Sequence, residues 1–278
     1  MSQEHPSVAI LGAGAMGEAL AMGLLDAGWE HSDIELAARR VARASRVEAD
    51  TACRCVLDPA EIVTGKDVVV VAVKPRDVHR LLEQIHPLFN SRQVLVSLAA
   101  GVPTTVFEKV LGEIPVIRSM PNTPAIVREG ITGMASGAFT STEDLDLAER
   151  VLSAVGPVTR LDEHLLDAVT AVSGTGPAYA FLLAEALTEA AIREGLPRDV
   201  AEMLVHQTIK GAGALLVATG RSPFELRSEV TSPGGTTAAA MHILEERGFR
   251  ALVEDAVQAA AQRSKELGGF AVAAEEDQ

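Results

Sequence analysis

At 278 residues with 47% hydrophobic side chains, the chain has enough apolar material for one large folded domain or two ordinary ones, which excludes a disordered protein. Acidic residues outnumber basic ones 38 to 24, a formal charge of −14 that repels nucleic acid and anionic lipid, and no basic stripe offsets it. No stretch reaches the roughly 20 apolar residues of a membrane span, and the opening MSQEHPSVAILG lacks a basic flank before a long apolar region, so a cytoplasmic protein is expected.

The first predicted element is a strand, VAILG at 8–12, running into a helix. Between them lies G-x-G-x-x-G: Gly12, Gly14 and Gly17, with Ala13, Ala15 and Met16 in the intervening positions. The spacing is mechanical. The first glycine permits a tight turn, the second lets backbone approach a pyrophosphate, and the third allows helix to pack closely on strand. The helix N-terminus then offers free N–H groups to an anion. A dinucleotide is the expected ligand.

A second strand, IELAA at 34–38, ends in Arg39 and Arg40, where NAD-binding versions of such folds carry an acid for the ribose hydroxyls. Two guanidiniums suit a 2′-phosphate, so NADPH is expected over NADH. The competing reading makes them solvated residues at a helix start. Next come Cys53 and Cys55, read as structural thiols because no second cysteine pair or histidine cluster accompanies them; no metal site is expected.

The apolar run DVVVVAV at 67–73 predicts a strand buried on both faces, as in a parallel sheet. It delivers Val73, Lys74 and Pro75 to the sheet's carboxyl edge, where ligands of such folds bind. A helix follows in PRDVHRLLEQIHPLF, with Val78, Leu81, Leu82 and Ile85 on one face. The run QVLVSLA at 93–99 brings Ala99 to the same edge. PVIRSMP at 115–121 leads into a Pro-bracketed turn containing Asn122, expected to close over a nicotinamide. Strands alternating with helices over about the first 160 residues predict a doubly wound α/β domain.

Beyond Leu161 the texture changes to Ala- and Leu-rich helical sequence without a convincing strand, which predicts an α/β domain over 1–161 and an all-α domain over 162–278. Helices apolar on several faces need partners, and roughly 110 residues make a thin core, so a second chain is expected to supply some of the packing. Within this half, AVSGTGPAYAF (171–181) breaks a helical pattern, and SEVTSPGGTTAAAMHILEE (228–246) sets five hydroxyls and a Pro-Gly-Gly turn before a helix. One hydroxyl suffices for an N-cap. The surplus around Ser232, Gly235, Thr236 and Thr237 points to a small carboxylate held on free N–H groups.

Together ILGAGAMGEAL (10–20), VAVKP (71–75), AVSGTGPAYAF and VTSPGGTTAAAMHILE (230–245) resemble pyrroline-5-carboxylate reductase, over nearly the whole length and in the right order. The resemblance implies a Rossmann domain and a helical domain that interlocks with a second chain. It also implies NADPH as the usual hydride donor, with NADH the alternative, and an active site that includes helices of the partner. It implies a homodimer, or a higher oligomer such as a decamer. Carried over by motif, Ser232, Gly235, Thr236 and Thr237 hold the substrate carboxylate, Thr237 bonds the ring nitrogen and is the catalytic residue, and Glu163 matches a position near the substrate. Two departures stand out. Asp58 occupies a position where many members have asparagine near the ribose, and Glu229 one where some relatives carry an amide near the nicotinamide. The nearest rival, a β-hydroxyacid dehydrogenase, needs a lysine on the first long interdomain helix, and none occurs between Leu161 and Arg193. A non-catalytic nucleotide-binding protein would have no use for the hydroxyl-rich helix entrance.

Overall fold

The computed structural model describes the backbone of residues 5–276 and the side chains as far as Gly268. Eight strands form one sheet: β1 (Val8–Leu11), β2 (Ile34–Ala37), β3 (Arg54–Val56), β4 (Val68–Val71), β5 (Val94–Ser97), β6 (Val116–Met120), β7 (Thr132–Ser136) and β8 (Val158–Arg160). Their order is β3-β2-β1-β4-β5-β6-β7-β8. The first six are parallel; β7 runs antiparallel to β6, and β8 runs parallel to β7. The sheet is therefore mixed at one edge, where the sequence predicts only its parallel part.

Helices cover both faces: α1 (Ala15–Asp26), α2 (Val41–Thr51), α3 (Ala60–Val63), α4 (Val78–Ile85), α5 (Thr104–Leu111), α6 (Thr142–Leu152) and α7 (Leu166–Val169). The β-branched runs of β1 and β4 serve two cores by alternation. Ile10 and Val70 face a layer with Leu20, Leu24, Ile117 and Val151. Leu11 and Val71 face one with Leu82, Ile85 and Phe107. The α4 stripe of Val78, Leu81, Leu82 and Ile85 is buried as its spacing requires. Cys53 and Cys55 are free and buried.

After β8 no strand occurs among the described residues. The helices are α8 (Gly176–Arg193), α9 (Arg198–Thr219), α10 (Pro223–Glu229), α11 (Thr236–Glu246) and α12 (Phe249–Glu276). The chain divides into two compact units, one ending at Thr175 and resuming at Ala260, the other Gly176–Ala259. The spatial division thus comes later than the change of sequence texture at Leu161, because the 163–175 segment packs on the sheet. A π-helical turn, Thr170–Gly174, ends that segment; Gly174 lies against Met120, with its Cβ position 2.6 Å from the methionine methyl. The C-terminal part of α12 also belongs to the sheet unit: Ser264 donates to Asp167 at 2.7 Å.

The helical unit has almost no interior of its own. Thr188, Ala201 and Val205 are buried, whereas Phe181, Leu182, Met203, Val217, Phe224 and Leu252 are each more than 60% exposed.

Candidate functional site

The glycine loop follows β1 with the geometry its spacing requires. Gly12 has φ +123°, a region L side chains rarely adopt, and a Cβ there would lie 2.7 Å from the Ala72 carbonyl. A Cβ on Gly17 would overlap the Gly12 carbonyl oxygen, so helix and turn meet backbone to backbone. Gly14 differs: its Cβ would meet no protein atom within 4 Å. It is the N-cap of α1 with no side-chain cap, which leaves the first-turn N–H groups to a ligand. Ala15 is exposed and Met16 half-buried at that entrance.

Beside the loop lies a cavity of about 880 Å³. Gly12, Ala13, Gly14, Arg39, Arg40, Val73 and Lys74 line it, so two strand ends and the glycine loop converge as expected. Pro75 opens the short 3-10 turn Pro75–Asp77 at its edge. Ala99 is buried, and it and Asn122 are absent from the lining. Asn122 is spent on structure, its amide donating to the Ser173 carbonyl at 3.1 Å and accepting from Ile131 N–H at 3.0 Å.

Several lining residues escape a reading of motifs. Arg43 donates from Nε to the Ala13 carbonyl at 2.5 Å and pairs with Glu18 at 2.6 Å, tying α2 to the glycine loop. Arg39 pairs with Asp77 at 3.1 Å, and Arg80 and Gln84 complete the polar wall. Asp58 accepts from Ala60 N–H at 2.9 Å and from Gln84 Nε2 at 2.7 Å, so its free acceptor capacity is reduced. Ion pairs between elements tens of residues apart leave no trace in spacing. The only available signal was the surplus of arginine after β2.

In the helical unit, Ser232 to Gly235 form a turn closed by Gly235 N–H to Ser232 O at 3.0 Å, with Gly234 at φ +71°. Gly235 is the N-cap of α11, and no side chain caps it. The N–H groups of the first turn therefore remain available, and the simple N-capping role for these hydroxyls is not the one adopted. A Cβ on Gly235 would lie 2.5 Å from Ser232 Oγ, so the missing side chain is what admits that hydroxyl. Not all five hydroxyls are free: Thr231 donates to Arg227 O at 2.6 Å. Thr236 is exposed and Thr237 half-buried.

Glu163 and Glu229 are both engaged. Glu163, in the sheet unit, accepts from Thr104 N–H and Oγ1 at 2.8 Å each and faces Arg118 at 3.4 Å, an arrangement that caps α5. Glu229 is gripped by both terminal nitrogens of Arg221, which holds its carboxyl below the usual range. Among the described residues no group of three or more His, Cys, Asp or Glu could hold a metal ion.

Comparison with known proteins follows the same two-part division. A family model described as pyrroline-5-carboxylate reductase dimerisation matches residues 163–267, and one described as NADP oxidoreductase, coenzyme F420-dependent, matches residues 7–101. The chain is 42% identical to pyrroline-5-carboxylate reductase of Pseudomonas aeruginosa over 94% of its own length and 97% of the relative's. It is 38% identical to that of Arabidopsis thaliana over 95% and 96%. Among solved structures, the Coxiella burnetii enzyme superposes with a TM-score of 0.90 at 36% identity, covering 95% of this chain and 99% of that one. The Plasmodium falciparum enzyme, solved with NADP bound, gives 0.85 at 30% identity over 96% and 100%. With agreement in fold, motifs and full-length sequence, the chain belongs to the pyrroline-5-carboxylate reductase family.

Proposed function

We propose that this chain reduces the cyclic imine 1-pyrroline-5-carboxylate to L-proline, with NADPH held in the cavity of the sheet unit. The observation that carries the reading is the uncapped entrance of α11, where free N–H groups and the hydroxyls of Ser232, Thr236 and Thr237 suit one carboxylate. The residues present also fit the cofactor: Gly14 leaves space that no protein atom fills, and Arg39 and Arg40 stand where a 2′-phosphate would need cations. The Plasmodium relative with NADP bound supports the choice of nucleotide. NADH remains the alternative donor.

When bound, the nucleotide would supply the hydride that the imine carbon accepts. The nitrogen carries a proton from water, because a ring imine is basic enough to be protonated near neutral pH. The C=N π bond becomes an N lone pair as the new C–H bond forms, and the product is the secondary amine. Nothing in that sequence requires a strong general acid. The protein's share is positioning: the α11 entrance fixes the acid group and Thr237 Oγ1 orients the ring nitrogen. The apolar helical unit gains its missing core from a second copy, as a homodimer or a larger ring of dimers. Adding 1-pyrroline-5-carboxylate to protein and NADPH tests the reading. Loss of nicotinamide absorbance with equimolar proline is expected, and stable absorbance with both donors would overturn it.

A further inference from the structure

The cavity beside the glycine loop has a charge balance opposite to that of the whole molecule. Arg39, Arg40, Arg43, Lys74 and Arg80 line it against a single carboxylate, Asp77, in a chain of formal charge −14. Of the five cations, Arg43 is committed to Glu18 and Arg39 to Asp77, while the other three make no ion pair among the described residues. Such a surplus suits a ligand with more negative charge than a pyrophosphate alone.

Asp77 is the feature this reading does not explain. It lies on the turn after β4, across the cavity from the end of β2, and its Oδ2 sits 3.1 Å from Arg39 NH1. The Asp77 side chain is 17% exposed and that of Arg39 64%, so the acid is the fixed member of the pair and the arginine the free one. A phosphomonoester arriving at Arg39 must compete with this carboxylate and tolerate its charge. A sugar hydroxyl meets neither cost.

We infer that Asp77 sets how strongly the protein discriminates a dinucleotide bearing a 2′-phosphate from one without it, by holding Arg39 in an ion pair that the phosphate has to displace. The inference rests on the dinucleotide reading above. Asp77 opposes the phosphate, Arg39 recruits it, and the balance keeps both nucleotides usable. Removing one unit charge from the lining, in the screened surroundings of a half-open cavity, corresponds to about three- to ten-fold in affinity for the added phosphate.

Dissociation constants for NADPH and NADH, measured by nicotinamide fluorescence and calorimetry without substrate, test this in the wild type, Asp77→Asn, Asp77→Ala, Arg39→Gln and the Asp77→Asn/Arg39→Gln double variant. Expected is about three- to ten-fold tighter NADPH binding in both Asp77 variants, NADH binding within about two-fold of wild type, and a gain that shrinks toward about 0.5 M salt. The gain should shrink when Arg39 is also replaced, to what direct repulsion by the carboxylate contributes alone. Equal changes for the two nucleotides, or weaker NADPH binding, would overturn the role of Asp77 and make it a positioning contact for Arg39. Wild-type protein that binds neither nucleotide would instead overturn the dinucleotide reading beneath it.

Discussion

Under the proposed mechanism the chemistry falls to a few single side chains at the α11 entrance. Thr237 is half-buried at an N-terminus capped by Gly235 rather than by a hydroxyl, so its Oγ1 is free for a ligand atom. Replacing Thr237 with alanine should lower kcat about 10- to 100-fold, the value of a hydrogen bond to a charged group. The NADPH dissociation constant should stay within about two-fold, since Thr237 is not among the residues lining the cavity proposed for the nucleotide. Unchanged steady-state kinetics would remove Thr237 from the mechanism. The two cysteines mark the opposite extreme. Burial pushes the Cys55 thiol up to about 11, and Cys53 is raised for the same reason. Both stay protonated and covered at neutral pH. A disulfide reagent at pH 7.5 should therefore label neither in the native protein and both in denaturant. A thiol whose folded value is raised favours the folded state up to the unfolded value and loses that contribution as pH climbs through about 11. Stability should accordingly fall between about pH 9 and 11 and rise again in a Cys55→Ala variant relative to wild type over that window.

At the scale of elements, the close approach of α1 to the glycine loop is the feature with least tolerance. Gly17→Ala places a methyl on the Gly12 carbonyl and should cost about 1–3 kcal/mol and abolish measurable nucleotide binding, read by thermal melting and fluorescence titration. The α5 start is held from outside its own sequence, by Glu163. Glu163→Gln leaves the buried Arg118 with a weakened partner and should lower the midpoint by about 3–10 °C, with nucleotide affinity retained. Elements such as these differ in how legible they are. The α4 stripe and the valines of β4 are written in local period and composition, since both are buried by their own pattern. β7, with the sequence TGMAS, is rich in residues of low strand preference and forms because β6 offers it an edge; β3 and β8 are three residues each and draw on the same cause. At the site, the glycine loop and the α11 entrance were legible because each is a contiguous motif. Asp77, Arg43 and the capping work of Glu163 were not, because each joins segments brought together only by the fold.

The whole molecule consists of a sheet unit with two complete cores and a helical unit with almost none. Phe181, Leu182 and Met203 stand more than 60% exposed in a segment matched by a dimerisation family model, and large apolar side chains exposed in this way mark an interaction surface. Light scattering at micromolar concentration should give at least twice the monomer mass, and Leu182→Glu should reduce it and lower thermal stability. A wild-type monomer would contradict the oligomeric assignment. The proposed reaction assigns the acid group of the imine to the α11 entrance. The most direct measurement of that claim is kcat/KM for 1-pyrroline-5-carboxylate against 1-pyrroline, the same ring without its carboxylate, at saturating NADPH. A carboxylate held by charge-assisted bonds at the α11 entrance predicts a preference on the order of 100-fold or more for the acid, shrinking when Thr236 is replaced by valine. Equal efficiency on the two imines would contradict the account.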